Sequence, residues 1–229
     1  MKKKYILYPY LGVHIILYLL IYVAKIFSYD IEIVIDYSVI ISCFLMVFFF
    51  LCIEKKISSF LLCIAFFFTL VSDTILLWLD DYYEWALLSF IFVQFSYFTY
   101  ILYTSYDKGN WKKQIGLRLG VAIPLCILYF FLDYPKRFLI CLVIFYIIQL
   151  FWNVIFSLKA KNKFLSIGLI LFLLCDICVG CMNISDIFPT LSSNFFNTIT
   201  HSTINFSWLF YHPSQVLLSL CDHYFSKKR

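Results

Sequence analysis

Residues 57–79 read ISSFLLCIAFFFTLVSDTILLWL, and this stretch decides how the chain can fold. Its only charged side chain is that of Asp73. A helix of about 20 mostly apolar residues is long enough to cross the hydrocarbon core of a bilayer. The apolar residues run on without alternating, which predicts a helix and argues against a strand of a membrane barrel. The stretch is therefore predicted to be a transmembrane helix.

The composition of the whole chain points to the same class. Of the 229 residues, 63% are hydrophobic and only 14% are charged, and the mean hydropathy is +0.91. Soluble domains are roughly half apolar and a quarter charged. No polar block is long enough to form a soluble domain. We therefore predict a single integral membrane domain over residues 1–229.

Eight apolar stretches are long enough to span a bilayer, which predicts an all-α, polytopic transmembrane helical bundle of about eight spans. The first stretch is predicted to be a retained span, because it is too long for a signal peptide and ends without a small-x-small cleavage site. The predicted spans are 5–27, 33–53, 57–79, 83–104, 116–132, 137–158, 164–183 and 198–221.

Charged residues outside the apolar stretches predict the orientation. With the N-terminus inside, only Lys25, Lys136 and Arg137 of the 18 basic residues fall on the outer side. This asymmetry follows the positive-inside rule and requires an even number of spans, with both termini in the cytoplasm. The acids assigned to the outer side are Asp30, Glu32, Asp36, Asp80, Asp81, Glu84, Asp133 and Asp186. The basic residues assigned to the inner side are Lys2, Lys3, Lys4, Lys55, Lys56, Lys108, Lys112, Lys113, Arg118, Lys159, Lys161, Lys163, Lys227, Lys228 and Arg229.

Several functional classes find no support in the sequence. The net charge of +5 reflects topology, since no basic soluble module is present to bind nucleic acid. Most of the nine cysteines lie in apolar runs, where cysteine behaves as a small buried hydrophobe. The run CDICVGC at 175–181 has no second cysteine pair, so we expect neither a metal site nor a cofactor there. No glycine-rich phosphate loop and no H-E-x-x-H motif appears.

Two carboxylates lie inside predicted spans, Asp73 on the third and Asp176 on the seventh. At a rise of about 1.5 Å per residue they lie about 24 Å and about 18 Å from the starts of their spans. An ionised carboxylate in a span costs several kcal/mol unless it is paired, hydrated or protonated. No basic residue is expected at comparable depth. We therefore expect the two acids to meet in the outer half of one bundle and to divide into an acid and a base.

Other polar side chains lie on neighbouring spans at helical spacing, and could line the same cavity. In such bundles Gln and Tyr serve more often as hydrogen-bonding contacts between helices than as site residues. On the last span Pro213 is expected to break the helix. The residues in question are Gln94, Ser96, Tyr97 and Tyr100 on the fourth span, Tyr146, Gln149 and Asn153 on the sixth, and His201, Asn205, Tyr211, His212 and Gln215 on the eighth.

Four stretches, in order along the chain, resemble motifs of the YhhN-like lysoplasmalogenase family, and the layout of eight spans is also similar. They are SDTILLWL at 72–79, YEWALLSFIFVQFSYFTYIL at 83–102, CDICVGCMNI at 175–184 and FYHPSQVLLSL at 210–220. The sequence departs from the family pattern at Gln94, where His is usual, and at Tyr97, which comes three residues later instead of four. It departs again at Cys175, where Ser is usual.

The resemblance implies a hydrolase that cleaves the vinyl ether bond of lysoplasmalogens into a fatty aldehyde and a glycerophospho-head group. It implies that Asp73 and Asp176 are the catalytic pair. The expected substrate is a lysophospholipid that enters from the bilayer, and the expected location is the cytoplasmic membrane of a bacterium. We interpret four further residues as substrate-binding, namely Gln94, Tyr97, Tyr211 and Gln215.

Two other functions fit an intramembrane acid pair. A transporter coupled to protons or cations would use the carboxylates to bind its ions. A lipid-binding membrane protein would hold a ligand without turning it over. The sequence determines neither the lipid head group nor the oligomeric state.

Overall fold

The computed structural model describes residues 4–26, 32–79, 81–104, 111–131, 137–160, 162–187 and 206–223. Within these ranges the chain forms helices and no strand, which confirms the all-α prediction. The helices are α1 (Lys4–Ile26), α2 (Glu32–Glu54), α3 (Ile57–Thr74), α4 (Tyr83–Thr104), α5 (Trp111–Phe131), α6 (Arg137–Lys159), α7 (Lys163–Ile187) and α8 (Phe206–Leu220). A π-helical segment, Ile75–Leu79, extends α3.

Seven of these helices, α1 to α7, are long and apolar enough to cross a membrane. The chain is thus a polytopic membrane bundle. The described part of α8 has 15 residues, fewer than a full span needs. The predicted eighth span began at residue 198, and residues 198–205, which include His201 and Asn205, lie outside the described residues.

Six of the helices close into a ring. Contacts run from α2 to α3, α4, α6, α7 and α8 in turn, and α8 packs back on α2. The two remaining helices lie outside the ring, with α1 against α2 and α5 against α6. Burial agrees with this order, since 56% of the apolar window of α4 is buried, compared with 11% for α1 and 17% for α5. Side chains that point into the ring are therefore shielded from both lipid and water.

The outer helix α1 is attached partly through polar contacts that reach into the ring. The Tyr10 hydroxyl lies 2.7 Å from Ser219 Oγ, and His14 Nδ1 lies 2.9 Å from His212 Nε2. All four of these side chains are buried or nearly so. Hydrogen bonds between helices help them to associate in a bilayer. The lipid chains are as apolar as the surfaces of the helices, so the hydrophobic effect contributes little to this association.

Helices α7 and α8 pack closely at Gly168. A Cβ at Gly168 would come within 2.8 Å of the Leu218 side chain, so any larger residue there would force Leu218 to shift. Ser214 Oγ donates to the carbonyl of Gly168 at 2.8 Å. The expected break at Pro213 was wrong, because α8 continues through this residue. Close neighbours and serine hydroxyls replace backbone hydrogen bonds that proline removes, which makes proline tolerable in membrane helices.

Among the described residues, two charged side chains that the topology prediction placed in connections are buried inside helices. Asp36 is buried in α2, and Arg118 is buried in α5 with 2% of its surface exposed. The assignment to connections was wrong for both residues. It failed because a count of charges near span ends cannot tell which way a side chain turns. Arg118 lies on the one stripe of α5 that is buried, together with Gln114 and Ala122.

Candidate active site

The two aspartates lie on helices of the ring, and each accepts a hydrogen bond from a tyrosine of a different helix. Tyr211 Oη donates to Asp73 Oδ2 at 2.6 Å, which joins α8 to α3. Tyr146 Oη donates to Asp176 Oδ2 at 2.5 Å, which joins α6 to α7. These four residues are called the acidic cluster below. Bonds from hydroxyls to carboxylates are short and strong, particularly where water does not compete.

The two halves of the acidic cluster belong to one site. Asp73 lies close enough to Asp176 for their charges to interact, and Cys175 lies within the same range of both. Asp73 is buried with 5% of its surface exposed, whereas Asp176 is partly exposed. Two carboxylates in this arrangement cannot both be ionised cheaply, so they favour a shared proton.

Local contacts fix Asp73 on α3. The preceding residue, Ser72, donates its hydroxyl to the carbonyl of Ala86 on α4 at 2.8 Å. In return Ser89 of α4 donates to the carbonyl of Phe68 at 2.8 Å. The helix turns into the π-helical segment at Ile75, two residues after the aspartate. Isolated π turns are frequent at functional sites because they displace side chains from the regular helical spacing.

Aromatic rings fill the space between the two tyrosines of the acidic cluster. The Phe172 ring lies 5.6 Å from that of Tyr211 and 6.0 Å from that of Phe90. Phe90 lies in turn 5.7 Å from the ring of Tyr146. Such an apolar lining lowers the local dielectric and strengthens the hydrogen bonds to the carboxylates.

The predicted substrate-binding residues are buried, and the structure brings only some of them to the acids. Tyr211 contacts Asp73 directly. Gln94 lies beside the Tyr146 hydroxyl, although its Nε2 makes no well-formed hydrogen bond. Tyr97 is fully buried, and its hydroxyl makes no hydrogen bond to either carboxylate.

Gln215, one turn from Tyr211 on α8, leaves the most side-chain hydrogen-bonding groups without partners among the four predicted substrate-binding residues. It is fully buried, and neither its Nε2 nor its Oε1 has a hydrogen-bond partner. A buried amide without partners is costly, at about 1–3 kcal/mol. It is therefore a position where a ligand or a water molecule would supply the missing hydrogen bonds.

A second polar group, called the arginine cluster below, lies beside the acidic cluster. Arg118 reaches from α5 to α6, where Nη1 donates to Gln149 Oε1 at 3.0 Å and Nη2 donates to Asn153 Oδ1 at 2.8 Å. Asn153 Nδ2 donates in turn to Gln94 Oε1 at 2.9 Å. The guanidinium also lies 4.2 Å from the centre of the Phe98 ring on α4. Through Gln94 and Tyr146, this cluster adjoins Asp176.

Sequence reasoning found the acids but not how they are held. Tyr146 was one of several polar residues at helical spacing, with nothing to distinguish it from a structural contact. Arg118 was treated as a topology charge, yet it fell inside the predicted span 116–132. That conflict was the one signal in the sequence that could have identified it, because an arginine inside a span requires a partner or a function.

One of the comparisons with known proteins gives a match. The model of the YhhN family matches residues 36–220, most of the chain. The match includes both aspartates and all of the arginine cluster. No protein of curated function and no solved structure matches the chain. Within the described residues, no group of three or more His, Cys, Asp or Glu side chains is arranged to hold a metal ion.

Proposed function

Because this chain belongs to the YhhN family, we propose that it is a membrane hydrolase of lysoplasmalogen-type lipids. It cleaves the vinyl ether bond, and Asp73 and Asp176 act as the acid and the base. The proposal rests on one observation above all. Two carboxylates inside the bundle each accept a hydrogen bond from a buried tyrosine of another helix, and a row of aromatic rings joins the two tyrosines.

The chemistry requires an acid that is kept protonated in an apolar place. Hydrolysis of a vinyl ether begins when a proton is added to the carbon of the double bond that is not attached to oxygen, which gives an oxocarbenium ion. A carboxyl group surrounded by aromatic rings can hold that proton at neutral pH, because burial disfavours the charged form. The ionised partner stabilises the cation electrostatically.

Water completes the reaction. The ionised carboxylate takes a proton from a water molecule as the oxygen attacks the cationic carbon, and this gives a hemiacetal. The hemiacetal then breaks its bond to the glycerol oxygen, which leaves as a hydroxyl group, and the chain leaves as a fatty aldehyde. The proton taken from water replaces the one delivered in the first step. We assign neither role to one aspartate, since a coupled pair shares its protons.

The substrate is a single-chain ether lipid that enters from the bilayer. Such a lipid needs a polar site among helices, a lateral path for one chain, and no soluble binding domain. Gln94, Tyr97, Tyr211 and Gln215 are proposed to line that site. The protein would act in the cytoplasmic membrane of a bacterium.

The test is release of fatty aldehyde from a vinyl-ether lysophospholipid by the purified protein in detergent. Ethanolamine and choline head groups are both assayed, because the structure does not select between them. We expect release by the wild-type protein and a loss of about 100- to 10,000-fold in Asp73→Asn and in Asp176→Asn, as is typical when a general acid or base is removed.

Asp222→Asn provides a matched control. This carboxylate is also buried, and it accepts bonds from Ser58, Ser59 and Tyr100, but it belongs to neither cluster. Activity retained in Asp222→Asn and lost in the other two variants would support the proposal. No aldehyde from the wild type with either head group, while the protein stays folded, would refute it.

A proton-coupled transporter is the second candidate. The feature that favours it is a continuous polar path, in which Asp176, Tyr146, Gln94, Asn153 and Arg118 follow one another across the bundle. The test is made with the protein reconstituted into vesicles that contain a pH-sensitive dye. The internal pH of the vesicles would change if this path carried protons. Proton movement without aldehyde release would favour transport over hydrolysis.

A further inference from the structure

Arg118 is a buried cation whose partners are all neutral. Its described hydrogen bonds go to the backbone carbonyl and side chain of Gln149 and to the side chain of Asn153. Among the described residues, no carboxylate lies within ion-pair distance of it. A charge taken out of water without a counter-charge costs several kcal/mol. An anion that binds here would remove most of that cost.

Hydrogen-bond donors remain without acceptors in the same place. Arg118 Nε and Gln149 Nε2 are buried and have no partner, and Gln94 Nε2 lies beside the Tyr146 hydroxyl without a well-formed hydrogen bond. The three side chains are no more than 2% exposed. An excess of N–H donors around a cation is the arrangement that binds phosphate, because phosphate oxygens accept several hydrogen bonds at once and the guanidinium fork fits two of them.

Little protein covers these donors on the side of α5. This helix packs outside the ring, chiefly against α6, and only Gln114, Arg118 and Ala122 of its residues are buried. Gly116 and Gly120 meet no neighbouring atom that a Cβ would touch. A groove of about 440 Å³ lies where the first residue of α5, Trp111, faces α3 and α4. The arginine cluster thus lies under a single outer helix, α5, which also carries Arg118 itself.

We propose that the arginine cluster is the subsite for the phosphate of the lipid head group. Arg118 forms the ion pair, and Gln94 and Gln149 supply further N–H donors. This inference rests on the proposed function for the identity of the lipid, but the binding of phosphate can be measured without it.

The position of the subsite fits one bound lipid. On α6, Gln149 lies three residues and Asn153 seven residues after Tyr146, which corresponds to about 5 Å and about 10 Å along the helix. The glycerol backbone that joins a phosphate to the ether oxygen spans a similar distance. With the phosphate at Arg118, the vinyl ether would lie near Asp176. The head group then points to the end of the bundle that carries Lys55 and Lys56, and the chain points to the other.

The first experiment measures binding alone. Thermal unfolding in detergent, followed by tryptophan fluorescence, is recorded with increasing 1-O-alkyl-glycerophosphoethanolamine, with 1-O-alkylglycerol and with inorganic phosphate. The alkyl ether cannot be hydrolysed by this mechanism, so catalysis is not needed. We expect Arg118→Met to bind the phosphate-bearing lipid about 10- to 100-fold more weakly, the usual cost of a lost hydrogen bond to a charge. Binding of the alkylglycerol should not change.

Two further variants test whether the loss comes from the arginine or from misfolding. Arg118→Lys keeps the charge, without the planar fork, and should bind with intermediate affinity. Lys113→Met removes an exposed cation from the same helix and should bind like the wild type. Should Arg118→Met fail to fold, the comparison of lipid with and without phosphate is made on Arg118→Lys.

The outcomes separate the two proposals. Equal affinity of wild type and Arg118 variants for the phosphate-bearing lipid overturns the subsite, whatever the protein catalyses. Stabilisation by inorganic phosphate but not by the lipid assigns the cluster to a free anion and overturns the head-group assignment. In the activity assay, Arg118→Met should lose kcat/KM on a vinyl-ether lysophospholipid but keep it on a 1-O-alkenylglycerol. If the wild type releases aldehyde from neither substrate, this result counts against the proposed hydrolysis only, because the binding result does not depend on catalysis.

Discussion

The acidic cluster and the arginine cluster are neighbours, and they stabilise buried ionisable groups of opposite charge. Asp73 and Asp176 are acids, and the bundle supplies hydroxyl donors from Tyr211 and Tyr146. Arg118 is a cation, and the bundle supplies amide oxygens from Gln149 and Asn153. Neither cluster contains the counter-ion of its own charge.

The difference lies in what remains unsatisfied. In the acidic cluster each carboxylate has one donor, and the two acids can share a proton without any ligand. In the arginine cluster a positive charge cannot be removed by losing a proton at ordinary pH, because the guanidinium is too weak an acid. The acids are thus suited to chemistry and the arginine to binding. Four predictions would sharpen or break this distinction.

The largest effect is expected for the acids together. The double variant Asp73→Asn/Asp176→Asn should lose about as much activity as either single variant, within about tenfold, because residues that act as a unit are not additive. The measurement is kcat for aldehyde release by the three variants. A double variant whose loss is the product of the two single losses would show that the aspartates act separately.

Removal of one tyrosine hydroxyl should have a smaller effect. Tyr146→Phe and Tyr211→Phe each remove one hydrogen bond to a carboxylate, which is worth a factor of about 10 in rate if it positions the acid. Tyr8→Phe, at an exposed position of α1, should be neutral. Full activity in Tyr146→Phe would mean that the contact with Asp176 only holds α6 against α7.

In the arginine cluster, loss of Asn153 should reduce stability more than it reduces catalysis. Asn153→Leu leaves Nη2 of Arg118 and Oε1 of Gln94 without these partners, and should lower the free energy of unfolding by about 1–3 kcal/mol. The control is Ser96→Ala, whose buried hydroxyl bonds only within its own helix. If Asn153→Leu unfolds in detergent at the same temperature as Ser96→Ala, the hydrogen bonds of Asn153 contribute little to stability.

The smallest effect on stability is expected at Gln215. Since its amide has no partner, Gln215→Met should leave the unfolding free energy within about 1 kcal/mol of the wild type, or raise it. If the amide binds substrate, kcat/KM should nevertheless fall about tenfold. A stable variant with wild-type kcat/KM would remove Gln215 from the substrate site.

The sequence by itself determined the class of the protein and the position of its helices. Continuous apolar runs allow only helices in a bilayer, because each backbone group must find its partner within the same segment. The predicted span 57–79 coincides with α3 and its π-helical extension, and 83–104 coincides with α4. Asp73 and Asp176 were also visible, because a charge in an apolar run is rare.

Only the tertiary structure decided which side chains meet. The pairing of Asp73 with Tyr211 joins residues 138 positions apart, and no local periodicity specifies it. Likewise, Arg118 could be placed in the bundle only once α5 was seen to pack on α6 with its single buried stripe inward. Hydropathy records how apolar a segment is along the chain. The direction in which a helix faces depends on its neighbours. In this bundle that direction decides whether Arg118 is a charge at the end of a span or a buried cation.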